Sequence, residues 1–365
     1  MKILVLNSGS SSVKYQLYDG DGTVDKGLVE RVTDHEAALA EVTRRLDLSG
    51  LDGVGHRVVH GGASFSEPTL VTDEVLKDIR QLIPLAPLHN PANLAGVEVA
   101  RKLLPGVPQV AVFDTAFHRT LPEEAARYAI DGELADRYGV RRYGFHGTSH
   151  AYVSRRTAML LGRPLETVNT ITLHLGNGAS ACAVEGGRSV ATSMGLTPLE
   201  GLVMGTRPGD VDPGVLIYLA RNAGMGVDDL DDMLNHRSGL KGLAGAGDMR
   251  EVLSRRAAGD PAATLALAVY CRRIKEYVGA YYAVLGRLDA ITFTAGVGER
   301  APAVRAESLA GLSRMGIEID TERNERVKEG LISPDGAPVA VFVVPTDEEL
   351  EIATQARGVI GSAQG

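Results

Sequence analysis

The chain has 365 residues, 44% hydrophobic and 23% charged, with 46 acidic against 38 basic side chains and a formal charge of -8. That length implies two domains, and the composition excludes a disordered, collagen-like or coiled-coil chain and argues against nonspecific nucleic-acid binding. No apolar run nears the ~20 residues of a membrane span. The cysteines Cys182 and Cys271 form no disulfide framework or zinc spacing, and only Ile3 to Leu6 precede Asn7 as an apolar stretch, so a cytoplasmic protein is expected.

In chain order, Ile3 to Leu6 read as a strand that ends in the turn Asn7-Ser8-Gly9-Ser10-Ser11-Ser12. Val13, Tyr15 and Leu17 then alternate with polar residues, so a second strand follows rather than a helix. Asp34 would cap a helix from His35 to Leu48, and Asn90-Pro91 would open one to about Leu104. Thr148 or Ser149 would cap a helix ending near Gly162. Thr170 to Val184 repeat the first pattern about half a chain length later: strand, turn Gly176-Asn177-Gly178, strand. Two such hairpins suggest an internal duplication with a cleft between the halves. Asp260-Pro261 would open a helix reaching Gly286, apolar around most of its circumference and so expected at a domain or subunit interface. Strands at Gln109–Phe113, Ala290–Thr294 and Val339–Val344 alternate with helices, giving an α/β chain. Thr346 and Glu349 read as a capping box for a last helix.

Several segments have the composition of a site. The hairpin Asn7 to Lys14 offers amides, hydroxyls and a lysine to phosphate oxygens, although a tight hairpin with a surface lysine would look the same. His56-Arg57-Val58-Val59-His60-Gly61-Gly62 puts an arginine fork, suited to carboxylate or phosphate, on a short strand; a surface ion pair is the plainer reading. Asp114 follows an apolar strand, where α/β sheets place ligands, or else caps the next turn. His146 and His150 are four apart, but the glutamate of a zinc-binding helix is missing, and His146 reads better as aimed at a transferring group. Gly205-Thr206-Arg207-Pro208-Gly209-Asp210 is a stiff loop around one arginine. Phe293 to Arg300 is a strand emptying into a glycine turn.

Taken together these segments resemble the acetate kinase family (acetate and propionate kinases). Eight separated blocks carry the likeness: Asn7 to Ser12, His56 to Gly62, Pro87 to Pro91, Phe113 to His118, Phe145 to His150, His174 to Gly178, Gly205 to Asp210 and Thr294 to Glu299. The resemblance implies a duplicated ribonuclease-H-like fold of the sugar kinase, actin and heat-shock ATPase type, with two domains around a central cleft. Residues 1–117 plus 350–365 would form the acyl-substrate side and 118–349 the nucleotide side. It implies a homodimer and reversible phosphoryl transfer between ATP and acetate, with ADP and acetyl phosphate as products and Mg²⁺ (or Mn²⁺) as cofactor. A propionate- or butyrate-preferring kinase, or a silent nucleotide-binding protein, would share the fold. By motif, Arg57 and Arg207 would grip carboxylate and phosphoryl group, His146 would stabilise the transition state, and Asp114 would orient charge. Val59, Leu88, Phe145 and Pro198 would form the acyl pocket. Lys14, Ser10, Ser12, His174, Leu175, Gly176, Asn177 and Gly178 would meet the phosphates. Asp248, Met249 and Arg250, with Gly296, Val297, Gly298, Glu299 and Arg300, would hold the adenosine. Asn7 and Glu348 would flank the metal, with Glu349 left to cap. The stretch from Tyr18 to Gly55 is shorter than in typical members, which implies trimmed peripheral structure.

Overall fold

The computed structural model describes residues 1–364. The chain divides into two compact units. Unit 1 comprises Met1–Arg119, Phe145–Tyr152 and the segment starting at Asp347; unit 2 comprises Thr120–Gly144 and Val153–Thr346. The simple break near residue 117 thus misses one exchange: the block Phe145–Tyr152 packs in unit 1, bound there by backbone and side-chain contacts described below.

Unit 1 is built on β1 (Lys2–Ser8), β2 (Ser12–Asp19), β3 (Gly22–Glu30), β4 (Leu51–Val58), β5 (Thr69–Leu70) and β6 (Gln109–Phe113), in the order β3-β2-β1-β4-β6-β5. The pairs β1–β2, β2–β3 and β5–β6 are antiparallel; β1–β4 and β4–β6 are parallel. Ile3 to Leu6 of β1 form an unbroken apolar run because both faces are covered. Leu4 and Leu6 pack with Val13, Tyr15 and Leu17 under the His35–Arg45 helix, while Ile3 and Val5 meet Ile352, Ala353 and Ala356 of the last helix. Each such fully buried aliphatic side chain contributes roughly 1.5–3 kcal/mol. The short stretch between Tyr18 and Gly55 still holds a complete strand, β3, and a complete helix.

Unit 2 repeats the plan. Its strands are β7 (Asn169–Leu175), β8 (Ala179–Glu185), β9 (Arg188–Thr192), β10 (Ala290–Thr294), β11 (Gly330–Leu331) and β12 (Ala340–Val343), in the order β9-β8-β7-β10-β12-β11. Parallel and antiparallel pairs fall at the same places as in unit 1. Matching strand order and direction, strand for strand, is the structural form of the duplication that the two hairpins suggest.

Several boundaries differ from the sequence reading. The first helix stops at Arg45, because Leu46 is extended. The last helix starts at Glu348, and its cap is Asp347, whose carboxylate accepts the Leu350 N–H at 2.9 Å. Thr346 donates its N–H to Glu299, and Glu349 pairs with Lys14, so the cap position falls on Asp347 rather than on Thr346. The helix that Thr148 or Ser149 was expected to cap begins at Gly147, behind a left-handed His146 (φ 57°). Likewise the glycines after β10 do not form an open turn: Ala295, at φ 63°, turns the chain straight into a helix, Ala295–Arg300. The long helix, Pro261–Leu285, has the expected caps at Asp260 and Gly286. Its apolar stripe, including Leu267, Tyr270, Ile274 and Val278, is spent inside unit 2 against β8 and neighbouring helices, which explains its composition without an interface.

Candidate active site

In unit 1 the parallel pair β4–β6 sets the geometry. Arg57 lies near the C-terminal end of β4, and Asp114 extends β6 by one residue, its N–H bonded to Val58 O at 3.0 Å. The two side chains meet in a two-toothed pair: Arg57 Nε lies 3.0 and 3.1 Å from the Asp114 oxygens and Nη2 lies 2.7 Å from Oδ2. Asp114 is buried (1% exposed), whereas Arg57 keeps 22% exposure. Among the described residues its Nη1 edge makes no hydrogen bond, so part of the fork faces outward. Burial pushes the Asp114 carboxyl up, against the pull of Arg57. Burial also opposes the Arg57 charge, but Asp114, aided by Glu348 and Glu349, outweighs it and holds the guanidinium well above its ordinary value.

Neighbouring blocks are locked to this pair by buried amides. Asn93 accepts the Val59 N–H at 3.0 Å and donates to Ser8 O at 2.7 Å. Asn90 accepts the His60 N–H at 3.1 Å and donates to His60 O at 3.0 Å. Sequence reading took Asn90 as a helix start and as part of the Pro87 to Pro91 block but gave it no contact, and it missed Asn93, since nothing local says that an amide will be buried. The Asp114 carbonyl accepts the Gly147 N–H at 2.9 Å, and a Cβ at position 147 would lie 2.2 Å from that oxygen, so only glycine permits the approach. His146, just before it, holds a left-handed backbone that costs a non-glycine residue about 1–3 kcal/mol. His118 Nε2 meets the Phe145 carbonyl at 2.9 Å. Val59 and Phe145 are buried, but Leu88 is 52% exposed and is not enclosed with them.

Lys14 stands opposite Asn7 across the β1–β2 hairpin, and its ammonium lies 2.6 Å from Glu349. The end of β1 is thereby tied to the start of the last helix, where Glu348 accepts from Thr148 at 3.4 Å. Among the described residues no three His, Cys, Asp or Glu side chains cluster as a metal site, His146 and His150 included. Asn7 and Glu348 each carry an oxygen donor of the kind Mg²⁺ takes, and that ion keeps waters and phosphate oxygens among its ligands.

Unit 2 holds a cavity of about 490 Å³. Gly176 and Asn177, Asp248 to Arg250, and Gly296, Val297 and Arg300 all line it, so three separate segments of the sequence-derived nucleotide set converge. Asp248 caps the helix Met249–Ala257 and is paired with Arg250, which lowers its carboxyl to about 2. The cavity wall does not include His174, Leu175 or Gly178, which belong to or flank the β7–β8 hairpin. Gly298 and Glu299 also lie off the wall, and Glu299 accepts the Thr346 N–H at 3.4 Å. Leu240, Leu253 and Tyr270 also line the wall and were invisible in sequence, being apolar or aromatic helix positions without a motif. Arg207 donates to the Pro198 carbonyl at 2.8 Å, and burial lowers its pKa with no offsetting carboxylate among the described residues.

A family model described as the Acetokinase family matches residues 34–354. An acetate kinase of Streptomyces avermitilis is 57% identical over 397 aligned positions, covering 99% of this chain and 98% of the relative. One from Clavibacter michiganensis subsp. michiganensis is 56% identical, covering 97% and 98%. Among solved structures, a Porphyromonas gingivalis acetate kinase superposes with a TM-score of 0.95 at 43% identity, covering 98% and 99%. A propionate kinase from Francisella tularensis gives 0.91 at 40%, covering 97% and 98%. A ROK hexokinase from Thermus thermophilus, at 16% identity and a TM-score of 0.52, shares the fold alone.

Proposed function

This chain belongs to the acetokinase family, and we propose that it is an acetate kinase, moving a phosphoryl group reversibly between ATP and acetate to give ADP and acetyl phosphate. The observation that carries the reading is the Arg57 guanidinium, pinned by Asp114 along one edge with its other edge open. A phosphoryl-transfer transition state spreads negative charge over its equatorial oxygens, and what it needs is alignment and cationic donors. In this reading Arg57 and Arg207 grip carboxylate and phosphoryl group, and His146 adds a donor whose strained backbone fixes its direction. Acetate is already ionised at neutral pH and needs no general base. Asp114, engaged with Arg57 through both oxygens, acts by orienting that arginine.

The acyl chain is assigned to Val59 and Phe145 with Pro198, and Leu88 takes part at the rim. ATP is assigned its adenosine end in the unit 2 cavity, at Asp248 to Arg250 and Gly296 to Arg300, and its phosphates at Gly176 to Gly178 and the hairpin bearing Ser10, Ser12 and Lys14. Asn7 and Glu348 would hold Mg²⁺, which when bound neutralises polyphosphate charge. A cytoplasmic site of action fits two free, buried cysteines; among the described residues no helix is long and apolar enough to cross a membrane. The same reading includes a homodimer, supported by the helix Pro213–Asn222. It buries none of its residues, leaving Ile217 and Tyr218 at 53% and 64% exposure.

Trapping acetyl phosphate as its hydroxamate, from acetate, ATP and Mg²⁺, tests the activity directly. No hydroxamate despite nucleotide binding would leave a silent binding protein. Arg207→Ala should lower kcat by about 2–4 kcal/mol in barrier terms, as loss of a transition-state donor does; near-normal turnover would defeat its assigned role.

A further inference from the structure

Arg207 sits in a loop whose base is closed by a reciprocal pair of bonds. Asp210 donates its N–H to Gly201 O at 3.0 Å, and the Gly201 N–H returns to Asp210 Oδ1 at 2.8 Å. Gly209 makes this possible: it has φ 72°, and a Cβ there would lie 2.3 Å from Gly201 O. Asp210 is in turn held from the long helix Pro261–Leu285. The Tyr277 hydroxyl donates to its two oxygens at 2.9 and 3.2 Å. One turn earlier, Arg273 donates to Gly201 O at 3.1 Å and to Asp210 O at 3.3 Å. The residue beside Gly201, Glu200, is gripped separately by Tyr128 and Arg142. The segment from Pro198 to Gly201 is thus fixed on both sides, and Pro198 supplies the carbonyl that receives the Arg207 guanidinium.

We propose that Asp210, braced by Tyr277 and Arg273, is a positioning residue for Arg207: it fixes the Pro198–Gly201 segment whose carbonyl aims the guanidinium. The proposal rests on the catalytic reading of Arg207 given above. A small displacement of a transition-state donor lowers kcat more than it alters ground-state binding. The brace is partly exposed, so removing the hydroxyl strands no fully buried group and the fold should survive.

Tyr277→Phe should keep the wild-type melting temperature and lower kcat for acetyl phosphate formation roughly three- to tenfold, with KM for ATP within about twofold. Asp210→Asn, which retains an acceptor for the Gly201 N–H, should fall between wild type and Asp210→Ala. A double-mutant cycle separates positioning from general damage: in an Arg207→Ala background, Tyr277→Phe should change the residual kcat by less than about 1.5-fold. Wild-type kcat in Tyr277→Phe and Asp210→Ala, alongside a crippled Arg207→Ala, overturns the brace and leaves the function standing. Fully multiplicative losses overturn it equally. Full turnover in Arg207→Ala would remove the catalytic reading and the brace together.

Discussion

The two sheets share one strand plan and use it for different chemistry. In unit 1, Val58 pairs with Phe113 and its carbonyl receives the N–H of the next residue, Asp114, at 3.0 Å. In unit 2, Phe293 pairs with Val343 and its carbonyl receives the N–H of Val344, also at 3.0 Å. Asp114 and Val344 are therefore equivalent by register, and so are Arg57 and Thr292. Unit 1 places a salt bridge where unit 2 places a buried valine and a threonine whose hydroxyl lies 2.8 Å from that of Thr157. The backbone fixes where the strands end. Which side chains stand there decides whether an end holds charge or merely packs.

The largest expected effect comes from breaking that difference. Asp114→Ala strands the Arg57 guanidinium beside the emptied site, costing about 3 kcal/mol of stability, at the low end for a broken buried pair because Arg57 is partly exposed. It should also lower kcat at least roughly a hundredfold, since Arg57 loses its orientation. Val344→Ala, at the equivalent place, should cost about 2 kcal/mol of stability through lost packing and leave kcat near wild type. Denaturant unfolding and steady-state kinetics on both variants check the contrast. Equal kinetic losses would show that the two strand ends are not functionally distinct.

How much of this was legible in sequence follows the same division. Charged residues at strand ends, Arg57 and Asp114 among them, stand out against apolar strands, although each alone also fits a surface ion pair or a turn cap, and only the set of separated blocks tips the reading toward a site. The hairpins stood out because alternation after a glycine turn identifies a second strand. By contrast, the brace on Arg207 came from Tyr277 and Arg273, on a helix whose apolar stripe drew attention to packing instead. The wall residues Leu240, Leu253 and Tyr270 carry no local pattern, because long-range convergence alone gives them a role. Left-handed backbone at His146 and Ala295 was equally hidden, since neither residue type demands it; the first shifted a helix start and the second opened a helix where a glycine turn was expected.

A pH-dependent effect should also mark unit 1. His56 is fully buried, bonded to Gln109 at 2.6 Å, and burial lowers its pKa from 6.5 to about 4 despite that bond. His118 is lowered to about 4 by burial as well, against its bond to Phe145 O. Between those values the unfolded chain takes up protons that the folded chain refuses. Stability is therefore complete above about pH 6.5 and falls as the pH drops toward 4, by up to roughly 3 kcal/mol for each histidine. Urea midpoints should decline between pH 7 and pH 5, and His56→Gln, which keeps a donor for Gln109 but cannot titrate, should flatten the slope. An unchanged slope in that variant would mean that His56 is not held neutral.

The smallest effect should come from the nucleotide cavity, and its smallness is what sharpens the comparison. That wall is largely glycine backbone and apolar side chains, and the Arg250 side chain at its edge is 89% exposed, already paired with Asp248. Water screens such a pair, so little binding can depend on it. Arg250→Ala should raise KM for ATP roughly two- to fivefold and leave kcat and KM for acetate unchanged. If it instead abolished turnover, the cavity would depend on a single charged side chain, and backbone shape could no longer account for nucleotide binding. A modest rise confined to ATP would mean that the unit 2 cavity holds nucleotide through the shape of its main chain, whereas the strand end in unit 1 works through oriented charge.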